Sequence, residues 1–263
     1  MADNSEIIEN NPKRPTIWQL PRNIWAVGFT SMFMDVSSEM VLNILSLFLA
    51  NVLGVPTSII GLIDGVAEAT ASVLKLFSGW LSDKMGGRKW LAVIGYSFSA
   101  ISKPFFYIAN SWGVVAGVRW ADRVGKGIRT APVADSATKE IRGLAFGFHR
   151  AMDTAGALIG ILIAALVVWL TQKNAQMLSR NTFQMIVLIS LVPALLAVLT
   201  LIFGAKDVAV TGQRTAPKFS LKSMGRPFSI FLVIVSIFTL GNSADSFLVL
   251  RAQNLGVSVL GIL

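Results

Sequence analysis

The chain has 263 residues, of which 54% are hydrophobic and only 14% charged, with a mean hydropathy of +0.65. That balance excludes a soluble domain hiding its core behind a polar shell and makes lipid the expected solvent. The net charge of +9 does not indicate nucleic-acid binding, because Lys and Arg sit in short stretches between apolar runs rather than on one polar domain, and the absence of Cys with a single histidine, His149, excludes disulfides, thiolate chemistry and multi-histidine metal centres.

Residues 1–23 carry Asp3, Glu6, Glu9, Lys13, Arg14 and Pro15 and lack the basic start, apolar core and small-residue cleavage site of a signal peptide, so they read as a tail. Apolar runs on the scale of about 20 residues then predict seven membrane spans, at 24–50, 58–81, 90–109, 112–134, 144–170, 182–204 and 227–250. In the first span Asp35, Glu39 and Asn43 recur at intervals of four and share one helical stripe. The second repeats the device with Asp64, Glu68, Ser72 and Lys75, and carries Gly61, Gly65 and Ala69 as a smooth packing face.

Between the second and third spans lies Gly79-Trp80-Leu81-Ser82-Asp83-Lys84-Met85-Gly86-Gly87-Arg88-Lys89, too short for anything but a tight hairpin. The third span carries Lys103, followed by the kink-prone Pro104. The fourth carries Arg119, Asp122, Arg123, Lys126 and Arg129. Its Gly125-Lys126 pair is not a phosphate loop, since Trp120 stands where the first glycine belongs and Gly127 replaces Ser or Thr. The fifth carries His149, Arg150 and Asp153, then Gly156, Gly160 and Ala164 at small-residue spacing. After the sixth, residues 205–226 form a polar linker containing Pro217 and Gly225. After the linker, Ser243-Ala244-Asp245 and then Leu255-Gly256-Val257 echo Ser37-Ser38-Glu39 and Leu53-Gly54-Val55, as expected of halves related by duplication.

Basic residues fall before the first span and after the second, fourth and sixth, whereas the loops Asn51 to Thr57 and Asn110 to Trp112 have none. This alternation predicts a cytoplasmic amino terminus in a multi-pass plasma-membrane protein. An ionisable group at the centre of a span costs about 2.5–3.5 kcal/mol on insertion scales, so a set this large implies pairing or a water-filled cavity. At 1.5 Å rise per residue, Asp35, Glu68, Arg123 and Asp153 each lie about 15–17 Å into the bilayer, near its midplane. Three acids and one base there leave negative charge for protons or cations to neutralise, with Lys103 as a further counter-charge. Internal salt bridges that only hold the bundle together are the alternative reading of each pair.

The hairpin resembles the signature loop of the major facilitator superfamily, which joins transmembrane helices 2 and 3 of those secondary transporters. The resemblance implies that Gly79, Asp83, Lys84, Gly86, Arg88 and Lys89 form a gating latch, with Lys84 where arginine is frequent. Arg123, Gly127 and Arg129 resemble the family's helix-4 motif, linked to proton coupling; Gly156 and Gly160 resemble its helix-5 motif, with Ile161 in place of the usual proline. Asp35 to Glu39, Gly125 to Arg129 and Phe148 to Asp153 look like a poorly characterised prokaryotic branch, in which an Arg-Asp pair follows Ala131-Pro132; here Val133-Ala134-Asp135 follows directly.

The expected fold is therefore an all-α polytopic membrane bundle: a cytoplasmic tail at 1–23, a six-helix bundle at 24–204, a cytoplasmic linker at 205–226, and at 227–263 a seventh helix beginning an incomplete second bundle. The family typically has twelve helices, so a truncated member is expected. The expected function is secondary active transport of a small solute by alternating access, coupled to protons or cations. The substrate and coupling candidates are Asp35, Glu39, Asp64, Glu68, Lys103, Arg119, Asp122, Arg123, His149, Asp153 and Asp245. The complete protein is expected to be a monomeric permease, with no enzymatic activity, metal or cofactor. A membrane-embedded assembly or regulatory subunit, or an inactive truncated transporter, are the alternatives.

Overall fold

A computed structural model describes residues 16–85, 88–128, 141–206, 225–241 and 243–263, without the side chains of 76, 79–88 and 240. A short 3-10 turn, Ile17–Gln19, leads into α1 (Arg22–Asn51), α2 (Thr57–Met85), α3 (Arg88–Ser102), α4 (Pro104–Tyr107), α5 (Trp112–Ile128), α6 (Arg142–Gln172), α7 (Arg180–Gly204), α8 (Gly225–Leu240), α9 (Asp245–Asn254) and α10 (Val259–Ile262). The described elements are all helical. Among the described residues four helices are long and apolar enough to cross a membrane: α1, α2 over Thr57–Lys75, α6 and α7.

Local chemistry sets the boundaries. The left-handed Gly54 (φ 65°) lets the Val55 N–H turn back to the Leu49 carbonyl at 2.9 Å, ending α1 before Pro56. Pro104 has no N–H to donate, and the predicted third span is accordingly divided into α3 and α4. The Ser179 side chain accepts from the Thr182 N–H and starts α7.

Two expectations need correction. The second span does not end near 81 but continues helically to Met85, so helix occupies much of the segment read as a hairpin. The seventh span is not continuous over 227–250: α8 stops at Leu240 and α9 starts at Asp245. Extended Ala244 (ψ 142°) caps α9, and Asp245 lies in its first turn, where a carboxylate favours a new helix amino terminus.

α1 is the axis of the bundle, with α6 and α7 packed along it, α2 against α5, and α3 between α5 and α7. Met40, Ile44, Leu47 and Phe48 of α1 are fully buried with Phe183 and Ile186 of α7, and the Phe48 and Phe183 rings stack at 3.8 Å. A second core joins Ala26 and Met34 of α1 to Tyr96 of α3 and Ala194 and Ala197 of α7. In lipid such contacts stabilise through close packing rather than water release, so glycines matter at the crossings. An added Cβ at Gly160 would sit 2.5 Å from the Val36 carbonyl oxygen, and one at Gly156 would collide with the Met32 carbonyl. Gly61 lies against the Phe247 ring of α9. Gly65, read as a packing position, faces open space: a Cβ there would meet nothing within 4 Å.

The two ends of the bundle differ. At one, the Lys89 ammonium donates to the Ile202 carbonyl (2.7 Å), and the Asn23 side chain bonds both backbone groups of Lys206. At the other, Arg180 donates to the Asn110 side chain (2.7 Å), while α9 and the start of α10 pack onto the α6–α7 connection. There Gln253 donates to the Gln176 carbonyl (2.5 Å) and the Val259 N–H to the Ala175 carbonyl (3.1 Å).

Candidate functional site

Asp64 and Glu68 are four residues apart on α2, as Arg119 and Arg123 are on α5. Packing two helices side by side therefore aligns two acids with two bases. Arg119 Nε lies 3.2 Å from Asp64 Oδ1, Arg119 Nη2 lies 3.9 Å from Glu68 Oε1, and Arg123 pairs directly with Glu68. The ladder is graded in depth. Arg119 is 6% and Arg123 8% exposed, but the Asp64 side chain is 18% and that of Glu68 54% exposed. Two guanidiniums are thus held in the bundle while one carboxylate reaches its open face.

Two glycines beyond Arg123 let α5 pack closely, Gly127 against α2 and Gly125 against α3. A Cβ at Gly125 would meet the Gly95 carbonyl oxygen and the Ser99 hydroxyl at 2.6 Å, and one at Gly127 the Leu74 Cβ at 2.6 Å. Nη1 of Arg119 is buried without a hydrogen-bond partner among the described residues. From α9, the Ser246 hydroxyl donates to the other oxygen of Asp64, tying the seventh-span segment to the ladder. Asp122 is buried, and its backbone carbonyl accepts from the Ser99 hydroxyl at 3.0 Å.

A second group joins α1 and α6. The Ser31 hydroxyl donates to Asp153 Oδ1 at 2.6 Å, and His149 Nδ1 lies 3.2 Å from Asp153 Oδ2, one helical turn away. The His149 and Asp153 side chains are both partly exposed, so the carboxylate stands between a buried hydroxyl and an accessible imidazole. Also on α1, Asn43 Nδ2 donates to the Glu39 backbone carbonyl (2.8 Å) and side chain (3.0 Å). Asp35 is partly buried between these two pairs along the same helix.

A third group surrounds Lys103, which is 2% exposed at the break before Pro104. Its ammonium donates to the Ser37 hydroxyl (2.5 Å) and the Ser38 hydroxyl (3.1 Å). Ser37 in turn donates to the Ser190 carbonyl of α7 (2.6 Å). Pro193 lies inside α7 and cannot donate to the Ile189 carbonyl, so this cross-helix bond falls at the turn where the helix's own ladder is interrupted.

The structure therefore distributes the candidates over three groups rather than one cluster. Asp245 is exposed in the first turn of α9; its neighbour Ser246 makes the contact. The side chains of the proposed latch from Gly79 to Arg88, and Gly86 and Arg129 altogether, lie outside the described residues. Sequence reading missed Ser31, Ser37, Ser38 and Ser246. For Ser31 a signal was present: it stands four residues before Asp35 and extends the Asp35, Glu39, Asn43 stripe. Among the described residues no three His, Asp, Glu or Cys side chains converge as a metal site would require.

The sequence profile of the Major Facilitator Superfamily matches residues 27–263. An uncharacterised MFS-type transporter of Methanocaldococcus jannaschii is 34% identical over 239 residues, covering 89% of this chain and 58% of that protein. An uncharacterised protein of Mycobacterium bovis is 34% identical over 150 residues, 55% of this chain and 36% of that one. Among solved structures, a POT family transporter in complex with 5-aminolevulinic acid superposes with a TM-score of 0.64 at 16% identity, covering 86% of this chain and 48% of that one. A POT family transporter bound to a thioalcohol-conjugated peptide gives 0.62 at 17% identity, covering 84% and 46%. The chain thus spans about half the length of the relatives and structures it matches.

Proposed function

Because the chain belongs to the major facilitator superfamily, we propose that it forms the amino-terminal bundle and seventh helix of a secondary active transporter. In this reading it moves a small solute by alternating access, as one of two helical bundles rocking about a site near the bilayer midplane. It acts as a monomer when complete, lies in the plasma membrane with its amino terminus in the cytoplasm, and takes protons or cations as coupling partners. The Lys89 and Lys206 end is the cytoplasmic one by the distribution of basic residues.

The observation that carries the reading is the half-open ladder of Asp64, Glu68, Arg119 and Arg123. Four ionisable groups are gathered inside an apolar bundle, where they are costly unless paired or hydrated. Yet the Glu68 carboxylate is mostly accessible, so a proton or cation can reach it without dismantling the bundle. Protonating Glu68 would weaken its hold on Arg123, and a charge-dependent contact of that kind biases one packing of the helices over another. Asp153, poised between Ser31 and His149, is the second proton-accepting position.

The test is solute flux by the complete protein in liposomes under an imposed proton gradient. Asp153→Asn and Glu68→Gln are expected to abolish gradient-driven accumulation while leaving the protein folded. Accumulation at the unaltered rate in both variants refutes the assignment.

A further inference from the structure

The two halves of the seventh-span segment differ in how they are held. α8 exposes Phe231, Ile234, Ile237 and Phe238, whereas α9 buries Leu250 in the main core and packs on α1 and α2. α9 is fastened at both ends. At its start the Ser246 hydroxyl donates to Asp64, and the Phe247 ring lies over Gly61, one turn of α2 nearer Thr57. Towards and beyond its end, the Gln253 side chain and the Val259 N–H donate to the Gln176 and Ala175 carbonyls. Asp64 is shared between two neighbours: Oδ1 faces Arg119 Nε at 3.2 Å, and Oδ2 takes the Ser246 hydroxyl. Apolar contact decides little here, because lipid chains solvate Phe247 and Leu250 about as well as the bundle does. The bond to a charged acceptor is the stronger tie.

We propose that α9 is a strap clasped to the bundle through Asp64, with Arg119 as the positioning residue. By holding Oδ1, Arg119 presents Oδ2 to Ser246, so turning the guanidinium away releases the strap. Arg119 Nη2 also lies 3.9 Å from the Glu68 carboxylate, which puts the clasp one contact away from the open face of the ladder. The break between Leu240 and Asp245 lets α9 lift without carrying α8. The clasp stands on these contacts whether or not solute moves. Its part in transport rests on the reading above: there, docked α9 closes the end of the bundle away from Lys89 and Lys206, and its release opens that end.

The experiment is amide hydrogen exchange of the full chain in lipid nanodiscs, without solute or gradient, read by NMR at the Val259 N–H. Its bond to the Ala175 carbonyl (3.1 Å) is lost when the strap lifts, so its exchange rate reports the lifted population. The Phe183 N–H, bonded to the Ser179 carbonyl (3.1 Å) in the main core, reports loosening of the whole bundle. Ser246→Ala should speed exchange at Val259 about tenfold, the worth of a bond to a charged group, and leave Phe183 unchanged. Ser246→Thr keeps the hydroxyl and should exchange as the unaltered chain does. Arg119→Lys keeps the charge but not the guanidinium fork; it should speed Val259 several-fold, and adding it to Ser246→Ala should bring nothing further. The proposal is overturned if Ser246→Ala leaves Val259 unchanged or quickens Phe183 in step with it. It is equally overturned if Ser246→Thr exchanges as fast as Ser246→Ala, or if the two effects multiply in the double variant. Ser246 is only half-buried, so its two variants decide the matter even where Arg119→Lys does not fold. The flux measurement on Asp153→Asn and Glu68→Gln fails or succeeds independently of these outcomes.

Discussion

Replacing Gly160 by alanine tests the close crossing of α1 and α6. The new Cβ would sit 2.5 Å from the Val36 carbonyl oxygen and 3.1 Å from the Glu39 Cβ, roughly 1 Å short of an ordinary contact distance of about 3.5 Å at the oxygen. The opposing atom is backbone, so no rotamer change relieves the clash and the helices must separate, a form of overpacking that costs about 1–3 kcal/mol. Alanine also gains about 0.5–1 kcal/mol over glycine in a helix, which masks part of the loss. Gly65→Ala removes the ambiguity, since its Cβ meets nothing within 4 Å and it carries only the gain. The difference between the variants therefore isolates the steric cost of about 1–3 kcal/mol, or about 2–12 °C in unfolding midpoint at about 2–4 °C per kcal/mol. Tryptophan fluorescence during heating in one detergent reads both. Equal midpoints, or Gly160→Ala above Gly65→Ala, refute the close crossing.

The ladder predicts unequal costs for its two acids. Asp64→Asn leaves the buried Arg119 without its nearest carboxylate and should lower stability by about 3 kcal/mol; Glu68→Gln, at a mostly exposed position, should cost under about 1 kcal/mol, both read by chemical denaturation. Ser37→Ala removes an acceptor from the buried Lys103 ammonium and a donor to Ser190. It should destabilise by about 1.5–3 kcal/mol, and an unchanged denaturation midpoint contradicts the assigned bonds. Ser31→Ala takes one hydrogen bond from Asp153 and should change gradient-driven flux about tenfold, the worth of a bond to a charged group; unaltered flux detaches Ser31 from the coupling position.

The spans and charged stripes were legible because they are periodic. Four-residue spacing in α2 and α5 is enough to align Asp64 with Arg119 and Glu68 with Arg123 once the helices pack. Apart from Ser31, whose four-residue spacing to Asp35 was a signal, the serines were not legible: a hydroxyl carries no charge, barely alters hydropathy, and gains a role only from a neighbour distant in sequence, as Ser37 does 153 residues from Ser190. The break at 241–244 was hidden by the length of an apolar run, which a window of about 20 residues averages across. Asp245 just after Ser243-Ala244 was nonetheless a helix-start signal. Gly65 shows the converse, a motif-like spacing on a face with nothing opposite it among the described residues.

The chain of bonds from Lys103 through Ser37 to Ser190 has a mechanical consequence. It rivets three segments at a single level: sliding α1 along α7 breaks the Ser37 bond to the Ser190 carbonyl, and sliding α1 past the α3–α4 break takes two hydroxyl partners from a buried ammonium. Such a joint implies that this part of the bundle tilts as one block.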